Sequence, residues 1–176
     1  MVKVLKYIGY VLFFITMLLF FLPKINLYYL AQQEMQKYEV NISQAKIEEK
    51  AFGLEMEHIT ITYKGIESAE IQKLESAFYL FYNTLNVYSI ELSALVESYL
   101  PRKIKKLQVI YSVLQPLQIN FEAEGEFGFA EGTFTIATRA LLVHLKPSKI
   151  FLKEYKNSLR VLKKSENGEY YYEKSF

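Results

Sequence analysis

The feature that most constrains this chain is an uncharged apolar stretch close to its start. Residues 7–22 read YIGYVLFFITMLLFFL, and adding Val4, Leu5 and Lys6 gives 19 residues. Such a helix is about 28 Å long at 1.5 Å per residue, which nearly matches a bilayer core of about 30 Å. The stretch therefore predicts a membrane-spanning helix over residues 4–22.

A cleaved signal peptide is the competing interpretation, because the uncharged stretch is only slightly longer than the apolar region of such peptides. Cleavage requires small residues in an A-x-A-like pattern. Here the stretch runs into Leu22, Pro23 and Lys24, and the first alanine, Ala31, has Tyr29 two positions before it. We therefore expect the segment to be retained as an anchor.

The charges beside the stretch predict its orientation. Lys3, Lys6 and the amino terminus precede it, whereas Lys24 follows it closely. The positive-inside rule then places the N-terminus in the cytoplasm. We expect a single-pass protein of the bacterial inner membrane, with residues 1–23 as cytoplasmic start and anchor and residues 40–176 as a periplasmic β-rich domain. Tyrosines near both ends of the span fit interfacial aromatic belts: Tyr7, Tyr10, Tyr28 and Tyr29.

Residues 24–39 predict a juxtamembrane amphipathic helix. Leu27, Ala31, Met35 and Tyr38 recur at helical spacing among polar neighbours. Two roles are open for this helix. It either presents a docking face to a partner or to lipid, or it caps one end of a sheet.

Beyond residue 40 the period of the apolar residues changes from 3.6 to 2, which predicts β-strands. Leu54 and Met56 alternate with polar residues, and the phase then slips between Glu57 and Ile59, which indicates a bulge or a strand break. Further strands are predicted at 59–63, 66–74, 85–92, 107–113, 117–127, 133–138, 141–145 and in a final hairpin over 160–173 that turns at 166–168. Short helices are predicted at 93–100 and 147–157.

Two neighbouring strands carry the clearest one-sided pattern. Apolar residues take alternate positions on each, and we predict that they face lipid or a partner: Leu107, Val109, Tyr111, Val113, Leu117, Ile119, Phe121 and Phe127. The predicted fold is mainly β, with a single N-terminal transmembrane helix followed by a twisted, mostly antiparallel sheet with one apolar face and a few short helices. Either the short helices cover this face as a core, or it stays partly open as a trough.

Composition argues against several classes of function. The chain has no cysteine, and all 19 acidic residues are glutamate. This removes thiolate chemistry and every motif that requires aspartate, including EF-hand loops and the common Ser-His-Asp triad. A net charge of +2 and only three arginines do not indicate a basic surface that would bind nucleic acid. We expect no enzymatic activity, no cofactor, no metal and no nucleic-acid partner.

The remaining polar clusters have ordinary structural explanations. His58 and His144 are the only histidines, and neither has metal-ligand spacing. Three glutamates on one strand face could bind a cation, but they are typical of a solvated sheet surface: Glu122, Glu124 and Glu126. One basic cluster either touches lipid headgroups or forms a solvated loop: Arg102, Lys103, Lys105 and Lys106. Three glycines are interpreted as turn residues: Gly125, Gly128 and Gly132.

Four segments in this order resemble a known family. They are one anchor with LPKINLYYL at its exit, the strand pair FGLEMEHITITYKGI, and a GEFGFAEGTFTIATR hairpin that leads to LLVHLKP. Over most of its length the chain resembles a short version of the N-type inner-membrane subunit of type II secretion systems. The resemblance implies a periplasmic β-sheet domain in the assembly platform of a type II secretion or related DNA-uptake or pilus-type machine, with other platform subunits as partners and no catalytic residues.

A weaker similarity is to periplasmic bridge-like lipid-transfer proteins, whose long sheets have an apolar inner groove. It implies membrane lipid as the partner of the apolar face. The sequence thus leads to two expectations, a non-enzymatic accessory subunit of a secretion platform and, as the alternative, a lipid-binding or lipid-transfer protein.

Overall fold

The computed structural model describes residues 2–94, 101–160, 162–165 and 169–175. These residues form a single open, antiparallel, ten-stranded sheet in the order β1-β2-β3-β4-β5-β6-β7-β8-β10-β9. The strands are β1 Val40–Lys50, β2 Gly53–Tyr63, β3 Ile66–Phe78, β4 Tyr82–Leu92, β5 Lys103–Ser112, β6 Gln118–Gly125, β7 Gly128–Thr135, β8 Ala140–Pro147, β9 Lys163–Lys164 and β10 Tyr170–Ser175. The helices are α1 Val2–Phe21, α2 Lys24–Gln36, α3 Lys149–Glu154 and α4 Lys156–Leu159. The predicted mainly-β antiparallel fold is confirmed.

Helix α1 carries the apolar stretch that opens the sequence. Its segment Lys3–Phe21, 19 residues in length, is long and apolar enough to cross a membrane, and none of that window is buried against the rest of the protein. Pro23 separates α1 from α2, because proline has no backbone N–H with which to continue the helical hydrogen-bond ladder. Helix α1 therefore extends from the sheet with most of its apolar surface exposed.

Strand β1 was not predicted from the sequence. It pairs with β2 along almost its whole length, from Val40 opposite Tyr63 to Lys50 opposite Gly53. Its middle is polar, and only Ile42 and Ile47 pack against the core. As the outermost strand, covered on one face by α2, β1 needs few apolar residues, so its alternation is too weak to recognise.

Five neighbouring strands shift the phase of their alternation at the same level of the sheet. In β2, Met56 and Ile59 are three residues apart and both are buried in the same core. At the shift each strand has one residue that the regular strand pairing skips, between paired residues on either side: Ala45, His58, Gln72, Ser89 and Lys105. His58 and Ser89 have φ of 51° and 53°, a left-handed conformation that non-glycine residues seldom adopt. The predicted slip is confirmed, and because β2 continues through it, the strand break is not the alternative observed.

Two cores lie on one face of the sheet. The first lies where α2 packs on the sheet: Tyr28, Leu54, Met56, Ile59, Ala69, Ile71, Val87 and Ile90. The second consists of Phe127, Leu145 and Phe151 and lies under α3. Ser148 begins α3, since its hydroxyl oxygen accepts from the N–H of Phe151 at 3.1 Å and its hydroxyl donates to the carbonyl of Glu126 at 2.5 Å.

The predicted apolar stripe of α2 is not the face that packs on the sheet. Leu27 and Ala31 are exposed, and Tyr38 lies beyond the end of the helix. The face turned to the sheet contains Tyr28, whose hydroxyl bonds the Gln44 side-chain oxygen at 2.8 Å, as well as the buried Lys24. These polar contacts set the rotation of α2, which the spacing of apolar residues alone does not specify. Of the two predicted roles, capping the sheet is the one observed.

Other boundaries differ in detail from the predictions. The strand predicted at 133–138 is β7, which begins at Gly128 and ends at Thr135. Gly132 lies inside that strand, so its interpretation as a turn residue is wrong. The helix predicted at 147–157 is two short helices, α3 and α4, and the strand predicted at 160–162 is β9 at Lys163–Lys164. Most of the predicted helix 93–100, and the predicted turn 166–168, lie outside the described residues.

Candidate functional site

The apolar residues predicted on β5 and β6 share one face of the sheet. Three pairs lie directly opposite each other: Leu107 with Ala123, Val109 with Phe121, and Tyr111 with Ile119. Residues directly opposite in an antiparallel pair point to the same side. The one-sided pattern read from the sequence is thus present across both strands.

The same face continues across the strands that follow. We define the trough as the connected set of half-buried residues on β5, β6, β7, β8 and β10: Leu107, Val109, Tyr111, Ile119, Phe121, Ala123, Phe134, Leu141, Val143 and Tyr172. Five trough residues are absent from the predicted site, although all five stood in predicted strands: Ala123, Phe134, Leu141, Val143 and Tyr172. The pairing register of the strands places these residues beside the predicted ones, and alternation along the sequence does not report register.

Gly132 lies on the trough face and leaves room for the ring of Phe121. It lies opposite both Phe121 on β6 and Val143 on β8. A Cβ at Gly132 would collide with the Phe121 ring and would lie 2.5 Å from the carbonyl oxygen of Leu142. Glycine therefore lets the Phe121 ring lie across the adjacent strand, where any other residue would push it away from the sheet.

Three predicted site residues lie elsewhere. Val113 and Leu117 are in the connection between β5 and β6, and both are exposed. Phe127 is buried in the turn between β6 and β7, where it packs with Leu145 and Phe151. The alternation had placed all three on the strand face, because it continues in the sequence past the point at which each strand ends.

A cavity lies where the second core meets the trough. Its volume is about 520 Å³, within the range of about 300–1,000 Å³ that is typical of small-molecule sites. Its described lining is almost wholly apolar: Pro101, Ile104, Phe127, Ala130, Val143, Leu145, Phe151, Ser158, Leu162 and Tyr172. Val143 and Tyr172 belong to both the cavity and the trough, so the two form one continuous apolar surface.

The described helices leave most of the trough uncovered. Helix α2 contacts β1 and β2, at the edge of the sheet that lies away from the trough strands. Phe151 of α3 packs against Phe127 and Leu145, at the second core. Every trough residue stays partly exposed as a result. Among the described residues, the open-trough alternative is the one observed.

The opposite face of the sheet carries a network of ion pairs. The Lys73 ammonium on β3 lies 3.0 Å from Glu55 Oε1 on β2 and 2.7 Å from Glu75 Oε1 on β3 itself. Hydrogen bonds from Lys46 and Lys50 lower the pKa of Glu48 to about 2. One face is thus wet and ionic while the other is apolar, as the alternation predicts.

Polar side chains meet in a shallow concavity of about 330 Å³ on the charged face, whose lining includes Glu122, Glu131 and His144. His58 is exposed at the phase shift, and His144 is exposed on the charged face opposite Glu131. Glu122 and Glu124 are exposed on that face as well, and Glu124 pairs with Lys105 at 3.4 Å. Within the described ranges, no group of three or more His, Cys, Asp or Glu side chains could hold a metal ion.

The trough is chemically simple. Its ten residues are aliphatic or aromatic, and their polar side-chain groups are the hydroxyls of Tyr111 and Tyr172. Such a surface suits contact with hydrocarbon or with apolar side chains. Comparisons of the chain with models of protein families, with curated proteins and with solved structures found no match.

Proposed function

We propose that this protein is a non-enzymatic, single-pass membrane protein that binds lipid acyl chains along the trough. The observation that carries the proposal is the continuity of the trough with the 520 Å³ apolar cavity, in a chain that also has a helix apolar enough to span a bilayer. Apolar surface gains about 25 cal/mol for each Å² removed from water. A hydrocarbon chain along the trough would therefore be bound without any specific polar contact.

Native mass spectrometry of the purified full chain tests this function. We expect co-purified phospholipid on the wild-type protein. Ala130 lines the cavity, so Ala130→Leu adds bulk to its floor and should reduce the lipid-bound fraction several-fold. Ala140→Leu makes the same change on the charged face, next to β7, and should leave the bound fraction unchanged.

Two outcomes would count against lipid binding by the trough. One is a wild-type protein that carries no lipid when it is extracted in a mild detergent. The other is a bound fraction that falls equally in Ala130→Leu and Ala140→Leu, because the loss would then follow from general destabilisation rather than from the apolar face.

A second candidate function is that of accessory subunit in a type II secretion or related pilus-type platform. The specific observation in its favour is the combination of one helix apolar enough to span a membrane with a sheet whose apolar trough stays partly exposed. A photo-reactive residue at Val109, in native membranes, separates the two candidates. Adducts with secretion or pilus-type proteins would support this function, whereas lipid adducts alone would exclude it for the trough.

We further propose that the N-terminus is cytoplasmic and the sheet periplasmic. The chain has no cysteine, so a single introduced thiol can be labelled selectively. Ser43 is exposed on β1. A thiol at Ser43→Cys should react with a membrane-impermeant maleimide in cells whose inner membrane is intact, and protection until that membrane is broken would reverse the orientation.

A further inference from the structure

Connections at one end of the sheet expose large apolar side chains. In an antiparallel meander every second connection lies at the same end, so the connections β1–β2, β3–β4, β5–β6 and β7–β8 are neighbours. Their exposed apolar residues form what we call the apolar rim: Tyr79, Phe81, Val113, Leu114, Leu117 and Ile136. Leu114 is 80% exposed, an unusual position for a leucine in contact with water.

The apolar rim adjoins the C-terminal end of α1. The ring of Phe52, in the β1–β2 connection, lies 5.9 Å from the ring of Phe20 in α1 and 5.9 Å from the ring of Tyr79. Thr16 and Leu19 of α1 share one concavity with residues 79–82. Thr16 is five residues before the C-terminal end of α1. The β3–β4 connection therefore lies beside a part of the helix that is about 8 Å from that end, towards the N-terminus.

Hydrogen bonds join the connections of the apolar rim to one another. The N–H of Val113 and the hydroxyl of Ser112 both donate to the carbonyl of Phe81, at 3.2 and 3.1 Å. The N–H of Ile136 donates to the carbonyl of Leu117 at 2.8 Å. Backbone groups that are paired within the protein tolerate a medium that offers no water.

Charge is distributed unequally between the two ends of the sheet. The predicted basic cluster at residues 102–106 begins β5, at the end opposite the apolar rim. Lys64, Arg102 and Glu126 lie in connections at that same far end, whereas the four connections at the rim end hold one charged residue, Arg139. This position separates the cluster from the end that α1 adjoins, and it favours the solvated interpretation of the cluster over contact with headgroups of that leaflet.

We propose that the apolar rim is inserted in the bilayer leaflet that contains the C-terminal end of α1. The row of the trough nearest to the rim is Tyr111, Ile119, Phe134 and Leu141, so the trough then opens directly into the hydrocarbon of that leaflet. An acyl chain could pass from the leaflet to the trough without crossing water. The inference rests on the membrane anchoring in the proposed function, but it does not require lipid binding by the trough.

Single tryptophans in the full chain test the position of the rim, because the sequence contains no tryptophan. Leu114→Trp and Ile136→Trp report on the rim, and Phe14→Trp reports on α1. Tyr63→Trp and Ile66→Trp are matched controls, since both residues are exposed and apolar but lie at the far end of the sheet. Each variant is reconstituted in phosphatidylcholine vesicles whose acyl chains are brominated, and quenching of its fluorescence is measured.

We expect bromine to quench the rim tryptophans several-fold more strongly than the two controls, and to approach the quenching of Phe14→Trp. Strong quenching at position 14 with none at 114 and 136 would overturn the inference and leave the anchor intact. Equal quenching at the rim and at the controls would also overturn it, since the sheet would then lie flat on the bilayer. Because 114 and 136 are independent exposed sites, misfolding of one variant leaves the other as the test.

Discussion

The ammonium group of Lys24 lies 3.3 Å from Glu49 Oε1 and also donates to the carbonyl oxygens of Phe20 and Leu22. Lys24 is 2% exposed, so this cation is almost completely enclosed. It satisfies carbonyls at the C-terminal end of α1, where a positive charge is favourable, and it joins them to β1. One side chain thereby joins the C-terminal end of α1 to the sheet.

We expect Lys24→Met to make the position of α1 relative to the sheet more variable. The methionine side chain keeps most of the apolar stem but cannot donate to the carbonyls or to Glu49. That carboxylate then loses its cation and keeps the hydrogen bond from the backbone N–H of residue 24. Spin labels at Phe14→Cys and Ser43→Cys should show a broader distance distribution in the Lys24→Met protein. Lys37→Met removes an exposed pair with Glu34 and serves as the control. Distributions of equal width in both variants would contradict a structural role for Lys24.

Acid should destabilise the sheet through its charged face. Hydrogen bonds from Lys46 and then Lys50 lower the pKa of Glu48 from 4.5 to about 2. The backbone N–H of Lys24, with a further contribution from its ammonium group, likewise lowers the pKa of Glu49. A carboxylate whose pKa is depressed by folding stabilises the protein above its unfolded pKa, and this contribution is lost as the pH falls through the folded value.

The urea midpoint of the full chain in detergent should therefore fall between about pH 4.5 and pH 2. Glu48→Gln should flatten part of this dependence, while Glu126→Gln, in an exposed turn, should leave it intact. Added salt should reduce the difference, because exposed ion pairs are screened. An acid transition with the same slope in Glu48→Gln and wild type would exclude Glu48 as a source of it.

Much of the fold could be predicted because strand geometry repeats every two residues. The alternation around Val109 and Phe121 identifies one apolar face before any pairing is known, and the phase slip near His58 is visible in the same way. The apolar stretch of α1 is equally clear. These features depend only on residues close together in the chain.

The remaining features depend on residues far apart in the chain. Strand β1 is stabilised by α2 and β2 rather than by its own pattern, and the rotation of α2 is set by Lys24 and Tyr28 bonding to β1. The role of Gly132 requires its register with Phe121. The apolar rim appears only when the meander brings alternate connections to one end, which no local pattern reports.

Gly132→Ala should destabilise the sheet by about 1–3 kcal/mol, the usual cost of overpacking. The added methyl group meets the Phe121 ring and the Leu142 carbonyl oxygen. Phe121→Leu in the same chain should recover part of the loss, since it removes the ring but not the backbone contact. Urea unfolding of the two single variants and the double variant forms a thermodynamic cycle. Additive free energies would show that Gly132 does not accommodate the Phe121 ring.

Phe151→Ala should cost about 3–5 kcal/mol, as is typical when a large buried aromatic side chain is truncated. Phe151 is 2% exposed, stacks on Tyr155 with 5.5 Å between ring centroids, and forms one wall of the 520 Å³ cavity. Its neighbour Ile150 is exposed, so Ile150→Ala should stay within about 0.5 kcal/mol of wild type. Urea unfolding monitored at the tyrosines measures both. If the two variants unfold alike, α3 contributes little to the second core, and the cavity is an open end of the trough rather than a pocket closed by α3.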